Sequence, residues 1–159
     1  MAEGDSWDYS ILKKIIRSET PPLMVVDRAA LRRNIRRMTE IATNADTSLR
    51  VATKSVRVPG LLELIRDEIG DTYEGLMTYS PAETRFLHEC GFEDFLVAYP
   101  RVNPMQIHEL VEVNREGSTA RLMVDEPAHL EAVDAVYEEL PPNTDPLPVC
   151  VELDVSYRP

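Results

Sequence analysis

The feature that most narrows the fold is a spacing. Four prolines, Pro59, Pro81, Pro104 and Pro127, recur at intervals of 22, 23 and 23 residues. Each follows a short apolar run and precedes an amphipathic stretch. Proline suits the first turn of a helix, where its missing N–H would have had no partner. The neighbouring residues agree. Ser80-Pro81-Ala82-Glu83 has the form of a capping box, and Asn103-Pro104-Met105-Gln106 repeats it. Asp125 or Glu126 caps ahead of Pro127, where a carboxylate also suits the helix dipole.

The apolar runs read as buried strands over Leu49–Lys54, Gly75–Tyr79, Phe95–Tyr99 and Ala120–Val124, with a fifth over Val149–Val155. The intervening stretches read as helices with apolar faces such as Leu61, Leu62 and Ile65, or Ile107, Leu110 and Val111. Gly70, Gly91 and Gly117 stop the first three, and the proline-rich LPPNTDPLP segment stops the fourth. Strand and helix thus alternate four times at a short period, which means a parallel sheet with covering helices. An open doubly wound sheet and a (β/α)8 TIM-type barrel both fit. No glycine-rich phosphate fingerprint follows any strand, which weakens the dinucleotide-binding version. At this unit length a barrel needs roughly 200 residues from residue 49, so the chain is expected to hold about five of eight strands.

A separate piece precedes the repeat. Tyr9 to Arg17 reads as a short helix, PPLMVVD at 21–27 as a strand, and Arg28 to Ala42 as a helix that Asp27 can cap. The expected organisation is an N-terminal helix, strand and first helix over 1–48, and the first part of a barrel over 49–159. The net charge of −11 argues against nucleic acid and against an anionic membrane surface. No apolar run approaches the ~20 residues of a membrane span, and the acidic N-terminus lacks a signal-peptide layout, so the cytoplasm is the expected compartment. Cys90 and Cys150 are expected to be buried free thiols. His88, His108 and His129 lie inside helical patterns with no partner at metal spacing.

The chain has three lysines against fourteen arginines, and one of the three, Lys54, stands alone at the end of the first repeat strand. Alternation puts Arg50, Ala52 and Lys54 on one face and Leu49, Val51 and Thr53 on the other. The first face suits a barrel interior, with Lys54 at the C-terminal rim that carries chemistry in such barrels. A desolvated amine can lose its proton and condense with a carbonyl as a Schiff base, which a guanidinium cannot. A rim lysine that reaches into solvent or pairs with a carboxylate fits the same position.

PLMVVDRAALRRNIRRM, then LRVATKSVRVPGLLELI, then GLMTYSPAETRFLHECGFEDFLVAYP, resembles the N-terminal part of the alanine-racemase-like, fold-type III pyridoxal phosphate (PLP) enzymes. Within these the chain is most similar to the D-threonine aldolase and D-serine dehydratase branch, the amino acid deaminase/aldolases, from about residue 20 onward. The resemblance implies that Lys54 is the PLP lysine. The branch often shows Arg-Pro-His-x-Lys-Thr-His-Lys around it. Arg50 and Lys54 match, Ser55 and Arg57 are conservative counterparts, and both histidines are missing. Racemases proper carry a tyrosine four residues after the lysine, and here that residue is Val58, which disfavours two-base racemisation.

VELDVSYRP resembles the family's fifth-strand segment, where an arginine contacts the phenolic oxygen of the cofactor; Arg158 is the candidate, at a spacing one residue short of the common form. Tyr79, Tyr99 and Asp125 end other strands and would line the same mouth, Tyr79 as a candidate cofactor contact; strand-end or cap roles suit all three equally. The implied activity is a PLP-dependent lyase acting on a small-molecule amino acid substrate, a D-amino acid aldolase or dehydratase/deaminase. The resemblance places the phosphate cradle and any divalent metal ligands beyond these residues, with a homodimer as the full-length assembly and little activity in this part alone. A non-catalytic PLP carrier, an amino acid racemase and a cofactor-free interaction module are the other readings.

Overall fold

A computed structural model describes residues 8–156. Helix α1 (Tyr9–Ile15) and helix α2 (Arg28–Asn44) lead into four βα units and a fifth strand. These are β1 (Leu49–Ala52), α3 (Pro59–Ile69), β2 (Tyr73–Thr78), α4 (Pro81–Glu89), β3 (Phe95–Val97), α5 (Pro104–Arg115), β4 (Ala120–Val124), α6 (Pro127–Tyr137) and β5 (Val149–Val151). All four spaced prolines begin helices. Ser80 accepts the Glu83 N–H at 3.2 Å, and Glu83 reaches back one residue further than expected, accepting the Tyr79 N–H at 2.7 Å. At α6 the cap is Glu126, whose N–H donates to His129 Nδ1 at 3.3 Å.

Every strand pair is parallel, and the order across the sheet is β1-β2-β3-β4-β5. A doubly wound sheet reverses direction at a switch point, whereas this one never does. The sheet is therefore an unclosed (β/α) barrel segment, with β1 and β5 at its edges. Four of the expected strands end early, at Ala52, Thr78, Val97 and Val151, and β2 also starts two residues before Gly75. Residues 21–27, expected as a strand, form none: they pair with no described strand, and their neighbours Leu12 and Ile16 belong to α1 and the turn after it, so β-branched composition alone does not make one there. Among the described residues no helix is long and apolar enough to cross a membrane.

The helices cover one face of the sheet. Leu76, Phe95, Val97, Ala120, Leu122 and Val124 point into that layer and meet Leu62, Leu87, Ile107, Leu110 and Val111. Each large side chain buried there contributes about 2 kcal/mol. A smaller cluster of Ile35, Ile65 and Ile69 joins α2 to α3. Several buried polar groups are matched: Thr78 and Thr84 hydroxyls lie 2.6 Å apart, and the Asn114 amide donates to the Leu110 and Ala120 carbonyls while accepting the Ala120 N–H. Apolar surface is left bare at the margins, at Met38 and Ile41 of α2 and at Val151 and Leu153. Cys90 and Cys150 are free but only half-buried, since Cys90 sits at the end of α4 and Cys150 on the edge strand.

The other face carries an ion-pair bridge near the N-terminal ends of the strands. Arg50 of β1 and Arg121 of β4 both reach Asp94 Oδ1, at 2.7 and 2.6 Å. Arg50 also donates to the Leu76 and Asp94 carbonyls and lies 3.8 Å from Glu74. It crosses β2 at Gly75, its register partner. Gly75 has φ +121°, and a Cβ there would run into the Asp94 carbonyl and the Arg50 guanidinium. Glycine is thus required on both counts. Asp94 itself holds φ +57° and its carbonyl accepts the Leu76 N–H at 2.9 Å.

Candidate active site

Lys54 is the middle residue of a single 3-10 turn, Thr53–Ser55, directly after β1. The strand face expected to carry it ends at Ala52, so the turn rather than strand alternation sets its direction. Thr53 fixes that turn. It is 1% exposed, and its hydroxyl donates to the Met77 carbonyl of β2 at 3.1 Å. Lys54 stands exposed on this anchored turn, and among the described residues its ammonium makes no ion pair within 4.0 Å. The desolvated setting expected of a Schiff-base amine is therefore not found among the described residues: the turn leaves Lys54 in water.

Tyr79 immediately follows β2. The register pairs Ala52 with Met77, and the Thr53 hydroxyl holds the Lys54 turn to the Met77 carbonyl, two residues before Tyr79. Tyr79 and Tyr99 come together: their ring centroids are 5.0 Å apart at an interplanar angle of 61°, an edge-to-face pair. Both remain substantially exposed, at 52% and 40%. Asp125 ends β4, and its carboxylate lies 3.0 Å from His129 Nδ1, so it is engaged within its own helix start. Arg158 lies outside the described residues.

Arg101, which sequence reasoning passed over, belongs to this rim. It lies in the loop between β3 and α5 and donates to the Tyr79 carbonyl at 2.6 Å and the Pro100 carbonyl at 3.1 Å. Its guanidinium carbon lies 5.5 Å from the centre of the Tyr79 ring. Its Nε is buried with no partner. Two tyrosines ending adjacent strands were the available signal, because an arginine in a following loop is the natural cation for such a pair. Among the described residues no group of three or more His, Cys, Asp or Glu side chains could hold a metal ion.

No family model and no curated protein matches the chain. Solved structures do. A D-threonine aldolase from Filomicrobium marinum superposes with a TM-score of 0.74 at 18% identity, over 86% of this chain and 35% of that one. A D-threo-3-hydroxyaspartate dehydratase from Delftia sp. HT23 gives 0.68 at 23% identity, over 77% and 31%. An alanine racemase-like protein from Idiomarina loihiensis gives 0.70 at 20% identity, over 87% and 35%. The chain spans about a third of the length of these structures. What it shares with them is a fold, an unclosed five-strand (β/α) barrel segment.

Proposed function

We propose that this chain is the opening part of the barrel of a PLP-dependent lyase acting on D-amino acids, an aldolase or a dehydratase, with Lys54 as the attachment point for the cofactor. The observation that carries the reading is the Thr53-anchored turn, which presents an unpaired primary amine at the end of the first barrel strand. The fold shared with an aldolase and a dehydratase supports the same class.

The residues present fit the cofactor in part. A primary amine without a carboxylate partner suits covalent attachment. The Tyr79–Tyr99 pair offers apolar ring surface at the same rim, and Arg101 Nε is a buried donor awaiting a partner. A phosphate cradle is not among the described residues, and on this reading it comes from later strands, as any divalent metal ligands do. Bound PLP supplies an electron sink that weakens a bond at the substrate Cα. The chain's own contribution is proton transfer at Lys54 Nζ and the ring surface that the tyrosines offer at the rim. Val58, four residues on, cannot carry a proton, which leaves one base on one side and favours elimination or cleavage over racemisation. On the same reading the whole protein is a cytoplasmic homodimer that takes small amino acids.

Adding PLP to the chain, reducing with borohydride and mapping the modified peptide tests this. The mass is expected on Lys54, with its visible absorbance band absent in Lys54→Ala. Equal spectra for the two proteins refute the proposal.

A further inference from the structure

We propose that Arg101 is a positioning residue that locks Tyr79 and Tyr99 into one aromatic wall beside Lys54, against which a planar pyridine ring lies. The inference rests on the PLP reading above and assigns a role to residues that reading leaves loose.

The argument begins with what holds Tyr79. Its N–H donates to Glu83 Oε2 at 2.7 Å, and its carbonyl accepts from Arg101 Nη2 at 2.6 Å. The backbone of this one rim residue is therefore gripped on both sides by charged groups, and charge-assisted bonds are the strong ones. Its ring is held as well, by the Arg101 guanidinium at 5.5 Å and by the Tyr99 ring at 5.0 Å. Yet more than half of Tyr79 faces solvent. An ordinary surface tyrosine keeps its rotamer freedom, and burial elsewhere gives no reason to restrain this one.

Arg101 also differs from the arginines that hold the fold. Arg32, Arg50, Arg85, Arg115 and Arg121 each meet a carboxylate within 4.0 Å. Arg101 meets none among the described residues; its partners are two carbonyls and a π face. Only the planar fork of a guanidinium can bridge two carbonyls while covering a ring. The wall adjoins the turn that carries the amine, because Thr53 of that turn is hydrogen-bonded to the Met77 carbonyl, two residues before Tyr79.

The test uses two probes. PLP reports attachment and stacking together, and 4-deoxypyridoxine 5′-phosphate, which lacks the aldehyde, reports stacking alone. Near-UV circular dichroism reads the coupled tyrosine pair directly. Arg101→Met is expected to lose most of the pair's near-UV band and to weaken both probes about tenfold, the loss expected for one charged hydrogen bond. Arg101→Lys is expected to fall between, and Tyr99→Leu to lose the band with Arg101 intact. Lys54→Ala is expected to keep the band and the deoxy probe while losing only the attached form of PLP. An unchanged band and unchanged affinities in Arg101→Met overturn the clamp while leaving Lys54 standing. Absence of both probes from the wild-type chain overturns the wall, and absence of PLP attachment with the deoxy probe still bound overturns the Lys54 reading alone.

Discussion

The two ends of the sheet handle charge in opposite ways. At the N-terminal end, Arg50 and Arg121 converge on one carboxylate, Asp94, so that cations from β1 and β4 are neutralised by a residue at the start of β3. At the C-terminal end, Lys54 and Arg101 have no carboxylate within 4.0 Å among the described residues. One end uses charge to bind strands to one another, and the other leaves it available. The lesson is that an ionisable group in a barrel is read by its partners before its identity. Arg50 and Lys54 lie four residues apart on one strand and its turn, yet only the first contributes to the fold through its charge.

Substitutions can break or sharpen this contrast. The largest effect is expected for Gly75→Ala, which adds a clash with the Asp94 carbonyl to a strained φ and should cost about 3–4 kcal/mol in urea unfolding. A loss below ~1 kcal/mol would mean that Arg50 does not cross the strand tightly. Next comes Asp94→Ala. It strands two guanidinium groups that are only partly screened by water, and about 2 kcal/mol is expected after discounting for exposure. A double-mutant cycle with Arg121→Met should show coupling between the two; additive losses would dissolve the bridge.

A smaller effect concerns Tyr73, at the start of β2. Burial pushes its phenol up from 10.0 to about 12, with Asp94 adding to the shift and Arg66 and Arg50 opposing it. The folded state therefore holds this proton longer than the unfolded chain does. Stability from this group is complete below pH 10 and drains away as pH climbs from 10 toward 12. Tyr73→Phe should flatten the alkaline limb of the stability curve, and it also removes a buried hydroxyl that has no partner. An alkaline limb as steep as in the parent would assign the loss to other groups. The smallest effect is expected at the rim, where Lys54→Ala should change stability by under about 0.5 kcal/mol. A cost rivalling that of Asp94→Ala would erase the distinction between the two ends.

Much of the architecture was legible because its signals are local. A proline with a Ser, Asn or Glu before it marks a helix start whatever surrounds it, and all three such starts formed, as did the one at Pro59, which follows Val58. Strand ends were harder, because they depend on where a neighbour stops pairing. Lys54, Tyr79 and Tyr99 were expected inside strands and lie just beyond them, at the strand ends where rim groups belong. Residues 23–27 show the same limit from the other side, having strand composition without a strand partner. The Asp94 bridge joins residues 44 and 27 positions apart and needs Gly75 between them, so no local pattern announces it. Arg101 escaped notice for a related reason, since its value lies in reaching back 22 residues to Tyr79.

The unreversed strand order has a further consequence, for how the molecule comes into being. Each strand pairs with the one that preceded it along the chain, so loops to be closed are short and little search is needed. A nascent polypeptide of this kind can condense as it leaves the ribosome, every new hairpin-length segment docking on a platform already set. Synthesis order and assembly order are then the same across the described strands, and β5 is the edge on which any further strand would dock.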